Sequence, residues 1–397
     1  MTPFSTYSFK GKKTIVRVDF NVPLTKGTFV ITDDKRMQAA LPTINKILND
    51  GGSVILLSHL GRPKNGPEGA FSLSHLTKHL QDITKAKVYF SDDCIGAQAQ
   101  KMASNLSAGE ILLLENVRFY AEETKGDLSF ARKLASLGDC FVNDAFGTAH
   151  RAHASTTQIA QFFPNEKMCG LLMDAEINSA KKVMEETNRP FTAIVGGAKV
   201  SDKVLIVENL MSKADHIIIG GGMAYTFKKA LGGAIGDSLC ENDRVTTCKE
   251  ILSKADEMGV KIHLPQDSII ADSFSATAAI KTSESDQIDS GWMGLDIGPK
   301  ASEQFSQVIA ASKTILWNGP MGVFEMLPFE AGTKSVAKAV AKATKNGAYS
   351  LIGGGDSAAA AKKFNVATQI SHVSTGGGAL LELFEGKTLP GLAAIEK

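Results

Sequence analysis

The stretch Tyr349–Ala361, YSLIGGGDSAAAA, decides the fold. A short apolar run (Tyr349, Leu351, Ile352) leads into three glycines, then Asp356, Ser357 and four alanines. Alanine is the strongest helix former, so the order reads strand, tight glycine turn, helix. Glycine lets backbone approach a bound group, and the first N–H groups of a helix have no internal partner, so together they cradle an anion. Asp356 is then either a plain N-cap or a carboxylate holding a divalent cation against phosphate oxygens. The theme recurs through the second half of the chain, in FTAIVGGAKVSDK (191–203), HIIIGGGMAYTF (216–227) and HVSTGGGALLELF (372–384).

A chain of 397 residues is too long for one ordinary core and implies two domains. Its net charge of +1 argues against nucleic acid or an anionic membrane as a bulk partner. No apolar run reaches the length of a membrane span, and the N-terminal MTPFSTYSFKGKK lacks the apolar core of a signal peptide. The five cysteines contain no C-x-x-C pair, which suits free thiols in a reducing cytoplasm. Six of the eight arginines fall in the first 151 residues, whereas every run of three glycines lies in the second half. Guanidinium forks grip phosphate or carboxylate through side chains, and glycine turns grip phosphate through backbone, so the halves suit two different anionic ligands.

In the first half, TIVRVDF (14–20) has strand alternation that puts Arg17, Asp19 and Asn21 on one face, with an internal Arg17–Asp19 ion pair expected. A helix follows between Asp33 and Asp50, with Arg36 in its first turn, a poor place for a cation unless it has an outside task. Three further strand patterns each end in polar or basic residues: SVILLSH with His59 and Arg62, EILLLENV with Arg118, and CFVN followed by His150, Arg151 and His153. Ligands of open α/β sheets bind beyond the carboxyl ends of strands, so four clusters at one edge point to a binding face.

In the second half, Lys199 and Lys203 are four apart, which puts them on one face of the expected helix, either as two solvated lysines or, beside the glycine turn, as a favoured pair of phosphate ligands. LWNGPMGVFE (316–325) reads as a rigid loop whose Trp317, Asn318 and Glu325 suit a nucleoside. Residues 170–187 read as a linking helix with no strand close by, and 391–397 show no periodicity. A dehydrogenase would need a G-x-G-x-x-G turn with an acid about 20 residues on, and would leave the arginines unexplained. A non-catalytic binding protein would not require Lys199, Lys203 and Asp356 together.

In RVDFNVP (17–23), SHLGRP (58–63), LENVRF (114–119), DAFGTAHRAH (144–153), GGAKVSDK (196–203), WNGPMGVFE (317–325), GGGDS (353–357) and STGGGA (374–379), the chain resembles the phosphoglycerate kinases. The resemblance implies an α/β protein of two Rossmann-like domains, each a parallel sheet flanked by helices, joined by an interdomain helix and hinge. The expected division is 1–170, a linking helix 171–189, 190–385, and a segment 386–397 returning to the N-terminal domain. The implied activity is reversible phosphoryl transfer from 1,3-bisphosphoglycerate to ADP, giving 3-phosphoglycerate and ATP, with Mg²⁺, in a cytoplasmic monomer.

By motif, Asp19, Phe20, Asn21, Arg36, His59, Leu60, Gly61, Arg62, Arg118 and Arg151 would hold the phosphoglycerate. Gly197, Lys199, Lys203, Gly222, Gly294, Asn318, Pro320 and Glu325 would line the nucleotide site, together with Gly354, Gly355, Asp356 and Ser357. Glu325 is expected on the ribose and Asp356 on the metal. Arg36, Lys203, Gly377 and Gly378 would approach the migrating group, with His150 and His153 supporting Arg151. Because a carboxylate acceptor is already ionised at neutral pH, no general base is expected.

Overall fold

The computed structural model describes residues 3–64 and 66–396 and divides into two compact units, 1–178 with 388–397, and 179–387. In the first unit β1 (Lys13–Arg17), α1 (Lys35–Asn49), β2 (Ser53–Leu57), α2 (Thr77–Thr84), β3 (Lys87–Ser91) and α3 (Ala97–Ser104) follow one another. Then come β4 (Glu110–Leu114), α4 (Ala121–Lys125), α5 (Leu128–Ala135), β5 (Cys140–Asn143), β6 (Lys167–Cys169) and α6 (Leu171–Met184). The six strands form one parallel sheet in the order β3-β4-β2-β1-β5-β6. Every residue of β2 is buried, as expected of a parallel strand covered on both faces. Met37, Ala40, Ile44 and Ile47 of α1 are buried in one core cluster with Val16, Val54 and Leu56. The connection runs outward from β1 through β2 and returns on its other side to β5. The crevice at such a reversal lies beyond the carboxyl end of β1.

The second unit begins with β7 (Phe191–Val195), α7 (Val204–Met211), β8 (His216–Ile219), α8 (Met223–Ala230), β9 (Ala234–Ile235), α9 (Val245–Glu257) and β10 (Lys261–His263). A side structure of β11 (Asp267–Ala271), β12 (Ile280–Glu284), β13 (Gln287–Ile288) and β14 (Met293–Ile297) comes next. It is followed by α10 (Pro299–Ala311), β15 (Thr314–Asn318), α11 (Ala331–Lys345), β16 (Tyr349–Gly353), α12 (Gly355–Lys363), β17 (His372–Val373) and α13 (Gly377–Phe384). The main sheet is again parallel, β10-β8-β7-β15-β16-β17, and reverses at β7. The loops after β7 and β15 are thereby neighbours. The last helix, α14 (Pro390–Glu396), belongs to the first unit, where Gly391 N–H donates to Ala149 O at 2.8 Å.

Several local expectations are corrected. β1 ends at Arg17, because Val18 N–H still bonds Leu57 O but Phe20 N–H turns to the Ser58 hydroxyl at 2.9 Å. Asp19 and Asn21 therefore lie on a turn beyond the strand. Strand β6 directly precedes α6, and residues 391–396, which show no periodicity in sequence, lie in α14. The division between units falls inside α6, at Asn178/Ser179. Lys199 and Lys203 precede α7, which starts at Val204, so they share no helical face. Trp317 is fully buried in the core and donates Nε1–H to Gly319 O at 2.8 Å; it offers nothing to a nucleoside.

Candidate functional site

Beyond the ends of β1, β2, β4 and β5, the first unit gathers cations around a few acids. Arg36 Nη1 pairs with Asp19 Oδ2 at 2.9 Å, so Asp19 goes to Arg36 and not to Arg17 as the alternation suggested. Asn21 Oδ1 accepts from Gly61 N–H at 2.8 Å, and Arg118 Nη1 donates to Gly61 O at 2.9 Å, which fixes the turn after β2 from two sides. Arg62 and Arg151 are exposed. Phe20 and Leu60 bury their side chains in the core, leaving only backbone to a ligand. Burial, then Arg17, lowers Arg118 to about 10, with Arg62 adding to the repulsion. Burial also lowers His153 to about 4, with Arg118, Arg17 and Arg151 as further causes, and His59 falls well below its ordinary value. This face stores like-charge repulsion, which an anion would relieve.

Residues with weak sequence signals organise it. Asn116 donates Nδ2–H to Leu60 O at 2.7 Å and to Phe71 O at 2.9 Å, and its Oδ1 accepts from Arg118 N–H at 3.0 Å. Glu123 is fully buried and accepts from both Ser155 N–H and Ser155 Oγ–H, at 2.9 and 2.6 Å. Asn116 sits inside a quoted motif, whereas nothing in the local pattern marks Glu123 or Ser155.

In the second unit a cleft of about 490 Å³ is lined by Gly197, Gly222, Gly294, Pro320, Glu325 and Asp356, six of the residues expected around a nucleotide. Tyr225, Leu239, Phe274, Met293 and Val323 add an apolar wall, of which Leu239, Phe274 and Met293 lie outside every quoted motif. Gly294 makes room for the Tyr225 hydroxyl, since a Cβ there would fall 1.9 Å from it. The turns after β7 and β15 cross so closely that a Cβ on Gly196 would meet Pro320 O at 2.1 Å. The starts of α12 and α13 also meet, for a Cβ on Gly377 would lie 2.9 Å from Gly354 Cα. Two helix N-termini, with Gly355 and Gly378 exposed, thus point unpaired N–H groups at one place.

Asn318 and Ser357 are buried and serve the frame. Asn318 donates Nδ2–H to Gly353 O at 2.8 Å and accepts from Lys203 Nζ, while Ser357 Oγ accepts from Gly319 N–H at 2.6 Å. Burial is the main cause lowering Lys203, with Asp202 and Asp356 opposing it. Lys199 is exposed, and its loop is held by Glu241, which accepts from Ser201 N–H at 3.0 Å. Asp356 is exposed in the first turn of α12. Among the described residues no group of three or more His, Cys, Asp or Glu gathers to hold a metal. A single carboxylate fits an ion carried mainly by phosphate oxygens and water, which is the habit of Mg²⁺.

The family model for phosphoglycerate kinase matches residues 4–387. The phosphoglycerate kinase of Porphyromonas gingivalis is 52% identical over 414 aligned positions, covering 98% of this chain and 99% of that protein. The chloroplastic phosphoglycerate kinase of Volvox carteri is 49% identical, covering 98% of this chain and 84% of its own length. Among solved structures, that of phosphoglycerate kinase from Coxiella burnetii aligns with a TM-score of 0.89 at 40% identity, covering 100% of this chain and 98% of the other. That from Pyrococcus horikoshii OT3 gives 0.84 at 31% identity with the same coverage.

Proposed function

This chain belongs to the phosphoglycerate kinase family, and on that premise we propose that the arginine face of its first unit holds the phosphoglycerate while the glycine face of its second holds the nucleotide. It is a kinase of glycolysis that reversibly transfers a phosphoryl group from 1,3-bisphosphoglycerate to ADP, giving 3-phosphoglycerate and ATP. Asp19, Asn21, Arg36, His59, Arg62, Arg118 and Arg151 would hold the acid, with Phe20, Leu60 and Gly61 contributing backbone. Gly197, Gly222, Gly294, Pro320 and Glu325 would enclose the nucleoside, while Lys199 and the α12 start at Gly354–Ser357 would meet its phosphates. Asp356 would hold Mg²⁺, which when bound neutralises phosphate charge.

Phosphoryl transfer to a carboxylate asks the protein for alignment and charge neutralisation rather than covalent chemistry. We assign that task to Arg36 from one unit, and to Lys203 with the α13 start at Gly377 and Gly378 from the other. With the two ligands on different units, transfer in line would require closure about a hinge, for which α6 and residues 381–391 are the proposed segments. We propose a monomer working in the cytoplasm. Free Cys94, Cys140, Cys169, Cys240 and Cys248 agree with that compartment, and among the described residues no helix is long and apolar enough to cross a membrane.

The observation that carries the division of labour is the contrast between a crowd of guanidinium and imidazole groups in one unit, of which Arg17 and His59 are buried and Arg118 and His153 half-buried, and two adjoining glycine helix starts in the other. A coupled assay of ATP-dependent phosphorylation of 3-phosphoglycerate, with Arg36→Ala and Lys203→Ala beside the wild type, tests it. Each variant is expected to lose about 10²-fold to 10³-fold in kcat, the size of loss of one fixed charge-stabilising donor. A variant retaining wild-type kcat would remove that residue from the mechanism.

A further inference from the structure

Arg17 is fully buried, and the phosphoglycerate reading above gives it no substrate contact. Each of its three nitrogens has a partner. Nε donates to Ser155 Oγ at 2.8 Å, Nη1 donates to Val18 O, and Nη2 lies 3.3 Å from His59 Nδ1. Ser155 in turn donates to the buried carboxylate of Glu123 at 2.6 Å, so a buried negative charge balances the guanidinium through one hydroxyl.

An arginine carries five N–H donors and no acceptor. A proton on His59 Nδ1 would set donor against donor, so the contact requires a lone pair on Nδ1 and the ring proton on Nε2. We infer that Arg17 is a positioning residue that fixes His59 as the neutral Nε2–H tautomer, so that the imidazole meets the acid substrate as an uncharged N–H donor. The inference rests on the substrate reading above only for the last clause.

The groups facing His59 support the neutral form. Arg17 comes from β1, Arg36 from α1, Arg118 from the turn after β4 and His153 from the segment after β5. Asp19 Oδ1 stands 3.9 Å from Nδ1, too far for a hydrogen bond, and its other oxygen is taken by Arg36. Burial and three guanidinium groups therefore oppose a second proton. A donor of fixed tautomer needs no rearrangement when an acceptor arrives, and its strength does not vary with pH near neutrality.

The test is a long-range ¹H–¹⁵N correlation spectrum of the ¹⁵N-labelled, ligand-free protein between pH 5.5 and 8, with His59→Gln to assign the signals. The expected spectrum shows Nδ1 unprotonated and Nε2 protonated, with no titration. Arg17→Met is expected to mix the tautomers or bring His59 titration into that range. It should also make KM for 3-phosphoglycerate pH-dependent with kcat less affected, and Arg17→Lys, still a donor, should recover part of the loss. A wild-type spectrum with Nδ1 protonated, or with His59 titrating in that range, overturns the inference, as does an Arg17→Met spectrum like the wild type. If Arg17→Met does not fold, the wild-type spectrum decides, and Ser155→Ala loosens Arg17 in its place. The spectra need no substrate, so their failure is separate from a failure of Arg36→Ala to lower kcat.

Discussion

Each of the two units has its own parallel sheet that reverses at its first strand, yet each equips its own crevice in the opposite way. The first fills it with side chains, namely Arg36 on Asp19, Arg118 on Gly61 O, and Arg17 on Ser155 and His59. The second clears its turns of side chains, so that Gly196, Gly319, Gly354 and Gly377 let backbone segments cross beside an apolar wall. Side-chain cations repel one another and require buried acids such as Glu123 as counterweights. Glycines carry no such repulsion, but their packing leaves no room for a single methyl. Charge balance should therefore govern the first face, and steric fit the second.

The largest effects should separate the two faces. Arg36→Met should weaken 3-phosphoglycerate binding by about 10-fold to 100-fold and leave ADP binding unchanged, since a lost charge-assisted contact is worth about 1.5–3 kcal/mol. Lys203→Met should do the converse. Isothermal titration of each ligand on each variant reads this directly. A variant that weakens both ligands equally would mean that the faces are coupled before either is filled.

Much of this contrast could be read along the chain, because it lies in local patterns. The strand–glycine–helix order, the arginine asymmetry and the clusters after β1, β2, β4 and β5 are short-range features. What could not be read depends on partners far away in sequence. The Ser58 hydroxyl, 38 residues from Phe20, takes over its N–H and ends β1 early. Glu241, 40 residues from Ser201, holds the Lys199 loop out of helix. Trp317 stands on a strand flanked on both sides, with its ring buried in the core, so its place after an apolar run was misleading. The Glu123–Ser155–Arg17 chain spans 138 residues between its last two members and leaves no periodic trace.

Glycines of the second face look alike in sequence but should respond differently. Gly319 has φ +105°, and a Cβ there would lie 2.0 Å from Gly196 O, so Gly319→Ala should destabilise the unit by about 3 kcal/mol through strain and overlap. Gly355 starts α12 with nothing within 4 Å of a Cβ, so Gly355→Ala should fold normally, or up to about 1 kcal/mol more stably. Its ADP affinity should still fall, since the methyl enters the proposed phosphate cradle. Denaturant unfolding beside ADP titration separates a glycine needed by the fold from one needed by the ligand. Equal stability losses in both variants would break the distinction.

Asn318→Ala lies between these cases. It removes the acceptor of Lys203 and the donor to Gly353 O together. The loss in kcat should be smaller than that of Lys203→Met, about 10-fold, with a stability loss of about 1–3 kcal/mol from the unpaired buried groups. A kcat loss equal to that of Lys203→Met would show that Lys203 acts only when held by Asn318.

The smallest effect concerns pH, and here the two faces should differ in sign. His153 in the first unit is lowered from 6.5 to about 4, chiefly by burial and then by Arg118. Its stabilising contribution is present above the unfolded value of 6.5 and is lost as pH falls from there through about 4. Asp296, which lines the second face, is raised from 3.8 to about 7, chiefly by burial. Its contribution is present below 3.8 and is lost as pH rises from there through about 7. Asp296 accepts N–H from Gly332 at 2.7 Å and from Ile297 at 2.9 Å, bonds that favour ionisation without overcoming burial. His153→Gln should therefore reduce the loss of stability on acidification from pH 7 to 5, while Asp296→Asn should reduce the loss on going from pH 5 to 7. Asp144 in the first unit, raised to about 6 by burial, works against His153, so each variant must be compared with the wild type at every pH. Thermal unfolding midpoints across that range decide it. Parallel curves for His153→Gln and wild type would mean that the imidazole is already relieved of its neighbours' charge, and the electrostatic half of the contrast would fail.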